Sequence, residues 1–199
     1  MSELHDAIQE RDLKQAVQLL EEGKDVNSTF DYYGRTPVHY AVLNNHPEAA
    51  RLLAARGADV NMPDEDGSSP LHYAAFYDRA DMVNLLLEMG ADVNAVDGDG
   101  STALMFAAME GRGRIAKALL AEGADTDTVN NSGACALHHA VSGGHDYIVN
   151  LLLNRKCDVN IRDNHGKTPL GLAAEKGQTR LASYFPEIIE KLRQCGGEE

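Results

Sequence analysis

Histidine is the side chain whose type and spacing come nearest to a chemical signature in this sequence. Four of the eight, His5, His39, His72 and His138, recur at one period. The first step is one residue longer than the second, and the last step is two periods long. An imidazole can take up a proton or ligate a metal near neutral pH. A shared zinc ion would need several nitrogens within about 2.0–2.1 Å of one point. Rings spaced a whole structural unit apart cannot meet that condition. The spacing instead predicts rings that bond backbone groups of turns and of neighbouring units. His138 and His139 are adjacent and should point to different sides. His46, His145 and His165 stand where helices start or loops reach their tips.

The other reactive residues form no set. Cys135, Cys157 and Cys195 are odd in number and lack a CxxC spacing. They argue against a disulfide framework or a cysteine zinc site and for a reducing compartment. Asp64-Glu65-Asp66-Gly67 and Asp97-Gly98-Asp99-Gly100 faintly resemble calcium loops. The twelfth residue from Asp97 is Ala108, where such a loop needs a glutamate. Hairpin tips explain both stretches better. There is no GxxxxGK[ST], HExxH or GxSxG. No catalytic residue, metal or cofactor is expected, and the chain is not expected to be an enzyme.

Composition narrows the partners. The 199 residues suffice for one domain or two small ones. A hydrophobic share of 43% is too high for a disordered chain. No apolar run is long enough for a membrane span, and Met1-Ser2-Glu3-Leu4-His5-Asp6 has neither part of a secretory signal. A cytoplasmic or nuclear location is expected. The net charge of −13 argues against nucleic acid, whose phosphates need a basic face. Residues 1–127 hold 10 basic and 23 acidic side chains, and residues 128–199 hold 8 of each. The excess therefore lies in the first two thirds, where it would aid solubility or steer a basic partner.

These residues are held by a repeat. Glycines recur at equal steps, at Gly34, Gly67, Gly100, Gly133 and Gly166. Asn61, Asn94, Asp127 and Asn160 keep the same interval, as do Leu53, Leu86, Leu119 and Leu152. Between the marks lie two short helical patterns. Pro70-Leu71-His72-Tyr73-Ala74-Ala75 opens with a proline, whose missing N–H costs nothing at a helix start. Met82-Val83-Asn84-Leu85-Leu86-Leu87 carries apolar residues at helical spacing and ends near Gly90, a suitable left-handed cap. Asp92 to Gly100 reads as a polar turn.

The pattern resembles the ankyrin repeat, whose unit is about 33 residues long. Asp31-Tyr32-Tyr33-Gly34-Arg35-Thr36-Pro37-Val38-His39-Tyr40-Ala41 and Gly57-Ala58-Asp59-Val60-Asn61 carry the likeness, as does Ser69-Pro70-Leu71-His72 in the next unit. The resemblance implies an all-α fold of helix–turn–helix units with hairpin-like loops. It implies one domain: a degenerate N-terminal capping repeat at 1–27, repeats at 31–61, 64–94, 97–127 and 130–160, and a C-terminal capping repeat and tail at 163–199. Met1 and the amphipathic C-terminal segment read as genuine ends. Stacking should bury Leu52, Leu53, Leu85, Leu86, Leu119, Leu120, Leu151 and Leu152. Ala74-Ala75 and Ala107-Ala108 should keep the first helices thin. Helices pack about 8–10 Å apart, so six pairs should form a monomeric curved slab on the order of 50–60 Å long.

Departures from the pattern carry expectations of their own. Gly113 should weaken a helix interior. Lys156 stands where a left-handed glycine belongs. Pro186 should break the last unit's second helix, leaving Pro186 to Arg193 as an amphipathic cap. Gly196-Gly197-Glu198-Glu199 should fray. Residues 128–185 should therefore open before residues 1–60.

What the resemblance implies about function is protein binding, through hairpin tips and the exposed, concave side of the first helices. Carried over unit by unit, the candidate partner-binding residues are Phe30, Tyr32, Tyr33, Arg35, Leu43 and Asn44, then Glu65, Asp66, Ser68, Phe76 and Tyr77, then Asp99, Ser101, Met109 and Glu110. Val96 belongs with the third set. The fourth unit offers small residues from Asn131 to Gly143, and the fifth offers Asn164, His165, Lys167, Glu175 and Lys176. Aromatics gather in the first two sets, and exposed aromatics are enriched at binding hot spots. The expected role is an adaptor, inhibitor or scaffold for a basic or amphipathic segment of another protein, without nucleic acid or membrane. An assembly chaperone or regulatory subunit is the alternative.

Overall fold

A computed structural model of the chain describes residues 3–29, 31–177 and 185–198, with only the backbone at Gly177 and Phe185. Phe30 and Tyr184 lie outside the described residues. The chain divides into two compact units, residues 1–98 and 99–199. Among the described residues each unit is helical and contains no strand.

The first unit holds α1 (Glu3–Gln9), α2 (Leu13–Glu21), α3 (Pro37–Leu43), α4 (Pro47–Ala55), α5 (Pro70–Phe76) and α6 (Ala80–Glu88). The second holds α7 (Ala103–Met109), α8 (Gly113–Ala121), α9 (Ala136–Gly143), α10 (Asp146–Asn154), α11 (Pro169–Gly177) and α12 (Phe185–Gln194). Consecutive helices pair. The first helices also pack in a row, α1 on α3 on α5 in one unit and α7 on α9 on α11 in the other.

Local chemistry starts these helices. Pro37 and Pro70 occupy a first turn where no amide donor is needed. Thr36 caps α3: its hydroxyl accepts from the His39 N–H at 3.5 Å, while the Thr36 N–H donates to His39 Nδ1 at 3.1 Å. Thr102 caps α7 alone, accepting from the Met105 N–H at 3.3 Å, because Met105 offers no ring nitrogen. Burial of Ala74, Ala75, Ala107 and Ala108 is complete, so neighbouring first helices approach closely. Leu53, Leu85, Leu86, Leu119, Leu120 and Leu152 are buried, each stabilising by roughly 1.5–3 kcal/mol. Leu52 and Leu151 are only half-buried, because their helical positions turn partly out of the seam.

Three expectations change. Gly113 is the first residue of α8 rather than an interior one, so the interior penalty does not arise. It is small for a packing reason: a Cβ there would stand 2.6 Å from Tyr147 Cδ1. Pro186 sits in the first turn of α12, which is itself the second helix packed on α11, so it starts that helix instead of breaking it. The tail is docked through Glu198. Asn160 Nδ2 donates to the Gly196 carbonyl at 3.1 Å, and the Glu198 N–H donates to Asn160 Oδ1 at 2.8 Å. Thr168 Oγ1 also donates to the Glu198 carbonyl.

That docking copies an internal junction. Asn61 Nδ2 donates to the Gly90 carbonyl at 3.1 Å, and the Asp92 N–H donates to Asn61 Oδ1 at 2.7 Å. Gly196-Gly197-Glu198 thus stands in for Gly90-Ala91-Asp92. Asp127 keeps half of the arrangement, accepting from the Asp158 N–H at 2.9 Å with no N–H to return.

Lys156 holds φ +58° at the position filled elsewhere by Gly23, Gly57, Gly90 and Gly123. A Cβ at Gly90 would meet nothing within 4 Å, so backbone conformation alone asks for glycine there. Arg11 and Asn45 carry the same left-handed conformation within residues 1–60. With Gly113 and Pro186 removed as weak points, Lys156 is the ground that remains for early opening of residues 128–185.

Lys156→Gly should stabilise the chain by up to about 1 kcal/mol, read as a higher urea midpoint. An unchanged midpoint would show that the lysine carries no strain. Asn160→Ala should speed amide exchange at Gly197 and Glu198, and exchange equal to wild type would rule out the docked tail.

Candidate functional site

Much of the repeat's polar chemistry is taken up by the frame. His39 Nδ1 accepts from the Thr36 N–H, which fixes the proton on Nε2, and Nε2 donates to the Ser68 carbonyl at 3.0 Å. His72 repeats this with the Ser69 N–H at 3.0 Å and the Ala95 carbonyl at 3.1 Å. His138 does so with the Cys135 N–H at 3.2 Å and the Lys167 carbonyl at 3.1 Å. His5 Nε2 donates to the Arg35 carbonyl at 3.2 Å. Burial lowers the pKa of His5, His39 and His138 from 6.5, and the accepted carbonyl only partly offsets it. Burial also raises the Cys135 thiol and, with the Asp127 charge, pushes Cys157 up to about 12. Among the described residues no three His, Cys, Asp or Glu side chains gather into a metal site.

The loop tips are chained by backbone bonds. The Glu65 N–H donates to the Tyr33 carbonyl at 2.8 Å, and the Gly98 N–H to the Asp66 carbonyl at 2.8 Å. In the second unit Asn131 donates to Asp99 at 2.8 Å and Asn164 to Ser132 at 2.9 Å. Gly67 shows why the tips need glycine. Its φ is +78°, and a Cβ would lie 2.6 Å from the Gly98 nitrogen.

Asp31 organises the first tip. Its Oδ1 accepts from the N–H groups of Tyr33 and Arg35, each at 3.0 Å. Its Oδ2 takes the Tyr40 hydroxyl at 2.7 Å and Arg35 Nε at 2.5 Å. Burial alone would raise the Asp31 carboxyl, but these donors hold it below its ordinary value. Burial, then the bond to Asp31, pushes the Tyr40 hydroxyl up. The Arg35 guanidinium lies 4.9 Å from the Tyr33 ring centre and 5.2 Å from that of Tyr40. Arg35 is therefore committed within the fold. Asp64 repeats the scheme, taking the Tyr73 hydroxyl at 2.6 Å.

The other candidates separate into used and free surface. Leu43 is half-buried. Asn44 is half-buried and donates to the Tyr40 carbonyl at 2.9 Å. Ser68 gives its N–H to Asp64 and its carbonyl to His39. In contrast, Tyr32 is 93% exposed, Tyr33 50% and Tyr77 45%. Phe76 packs edge-on against Tyr77 at 5.1 Å. Tyr32, Tyr33, Glu65 and Asp66 line one concavity of about 280 Å³. The repeat brings them together, because Glu65 and Asp66 stand one full period after Tyr32 and Tyr33. That offset was the available signal.

The remaining candidates belong to the second unit. Asp99 and Met109 are exposed, whereas Ser101 is half-buried and its hydroxyl accepts from Asn130 Nδ2 at 3.3 Å. Glu110 pairs with Arg112 at 3.8 Å. Sequence reasoning missed Tyr147, which is exposed and packs over Gly113.

Helix pairs that recur at one period and bond through their tips define a repeat protein. Profiles of ankyrin repeats match residues 4–97 and 104–192, and a second ankyrin profile matches residues 77–120. The chain belongs to the ankyrin repeat family, whose fold is a protein-interaction module. Relatives include the fowlpox virus ankyrin repeat protein FPV240, 42% identical over 65 residues that make up 33% of this chain and 16% of that one. The mouse 2-5A-dependent ribonuclease is 38% identical over 66 residues, 33% of this chain and 9% of the ribonuclease. Fowlpox FPV223 is 52% identical over 40 residues, 20% of this chain and 28% of the relative. These matches span under a third of each relative's length. Among the described residues no helix is long and apolar enough to cross a membrane.

The frame histidines give a pH dependence. Their folded pKa values lie below the unfolded 6.5, so the unfolded chain takes up protons first as pH falls. Their contribution is complete above about pH 6.5 and is lost below it. Urea midpoints measured from pH 7.5 to 5.5 should fall, and His39→Gln should make the decline shallower. A flat profile over that window would contradict neutral buried imidazoles.

Proposed function

We propose that the chain is a non-enzymatic adaptor, inhibitor or scaffold that binds, as a monomer, a basic or amphipathic segment of another protein. Contact runs along the loop tips and the exposed side of the first helices between Tyr32 and Tyr77. The observation that carries this reading is the company kept there: exposed Tyr32, Tyr33, Phe76 and Tyr77 share the stretch with the exposed carboxylates of Glu65 and Asp66. Aromatic anchors supply affinity, and the acidic groups speed encounter with a basic partner and make it salt-dependent. Residues 1–98 hold 7 basic against 18 acidic side chains, which favours that steering. Asp99, Ser101, Met109 and Glu110 hold the equivalent repeat positions in the second unit.

The test begins with capture of a partner on the immobilised chain and its identification by mass spectrometry. Tyr32→Ala/Tyr77→Ala should weaken that partner by at least tenfold, since hot-spot truncations cost about 2 kcal/mol or more. His165→Ala/Glu175→Ala should bind as wild type, with circular dichroism showing both variants folded. Loss in the second pair and none in the first would place the interface elsewhere and end this reading.

A further inference from the structure

The concavity between the first two loop tips has a narrower chemistry than the surface around it. We infer that it is a seat for one arginine side chain of the partner segment, an assignment that rests on the protein-binding reading above. Its volume of about 280 Å³ is just below the range of small-molecule pockets, so it suits a side chain better than a whole ligand. Its walls are two tyrosine rings and two carboxylates. The rings of Tyr32 and Tyr33 meet edge to face, with centres 5.7 Å apart and planes at 84°. A planar guanidinium can stack on one ring while its edge meets the other.

The carboxylates complete the seat. Glu65 and Asp66 are exposed, and neither side chain has a hydrogen-bond or ion-pair partner among the described residues. A guanidinium offers five N–H donors in a rigid fork, enough for both carboxylates at once. Arg35, whose guanidinium lies over the Tyr33 ring, does not fill this need. It is held at 2.5 Å by Asp31, which neutralises it locally. Its position over the Tyr33 ring, 4.9 Å from the ring centre, shows that this ring accepts a guanidinium at cation–π range.

The seat is also built before anything binds. The Glu65 N–H to Tyr33 carbonyl bond fixes the two tips against each other. Gly34 lets the Glu65 side chain pass close: a Cβ there would be 2.8 Å from Glu65 Cγ. Asp31 fixes the Tyr33 backbone. Such preorganisation limits the ordering cost of binding.

The assignment can be tested without the natural partner. The full chain is titrated with N-acetyl-arginine amide, followed by amide NMR shifts, beside N-acetyl-citrulline amide and N-acetyl-lysine amide. Citrulline keeps the shape of arginine and removes its charge. The arginine probe should give saturable shifts centred on residues 32–34 and 65–67. It should bind at least fivefold tighter than citrulline and threefold tighter than lysine. Tyr32→Ala and Glu65→Gln should each weaken it at least threefold, and both sites are exposed, so the fold is spared. Saturable shifts elsewhere only, or equal affinity for citrulline or lysine, would overturn the arginine seat. The outcomes also separate this inference from the reading it rests on. If the arginine probe fails while Tyr32→Ala/Tyr77→Ala still loses the captured partner, the seat is wrong and the protein-binding surface stands.

Discussion

The bond from a first-helix histidine to the next loop holds this fold in register. A helix pair of seven and nine residues cannot bury its own apolar face. It needs a neighbour, and the neighbour must arrive at one height. The Nε2–H groups of His39, His72 and His138 each reach a carbonyl that lies beyond their own helix pair. Because Nδ1 is occupied by a backbone N–H, the ring cannot take the other tautomer without losing that bond. Burial disfavours the charged form of His39 and His138. One side chain thereby joins a helix start, a loop and the next unit, and helps to fix the spacing at which alanine-lined first helices pack.

Residues that repeat are the ones legible in sequence, because the frame demands the same chemistry at each step. Tip glycines, turn asparagines and inner histidines announced themselves by period, and each proves to satisfy a backbone group or a positive φ. Single occurrences were harder. Gly113 looked like a helix weakness and is a close packing surface for Tyr147. Pro186 looked like a break and stands in a first turn, where proline is harmless. Gly196-Gly197-Glu198 looked loose in sequence, yet Asn160 bonds it as Asn61 bonds Gly90 and Asp92. In each case the deciding partner lies a whole repeat unit away or is hidden in the placement of a helix boundary. Composition and local pattern carry no record of it.

The candidate site was legible as a list but not as a grouping. Tyr32, Tyr33, Glu65 and Asp66 were picked out because they occupy exposed repeat positions. Their meeting in one concavity follows from the repeat offset, applied once to each tyrosine. Arg35 was picked out by the same rule and belongs to the frame, since Asp31, Tyr33 and Tyr40 already surround its guanidinium. Exposure by repeat position is therefore a necessary sign and not a sufficient one.

A physical criterion separates the two kinds of residue. In a repeat array the frame uses its polar groups in pairs, so that most of the donors it buries meet an acceptor. Asp31 takes four donors, and the Asp64 carboxylate takes the N–H groups of Asp66 and Ser68 and the Tyr73 hydroxyl. Glu65 and Asp66 follow Asp64 directly and accept none through their side chains among the described residues. Stability does not explain carboxylates held beside two exposed tyrosine rings, because a lone surface charge adds little to folding. The frame leaves them unpaired, and in the reading proposed above they meet the partner's arginine. In a fold whose backbone is the same from unit to unit, side chains that the frame does not use are what can distinguish one partner from another.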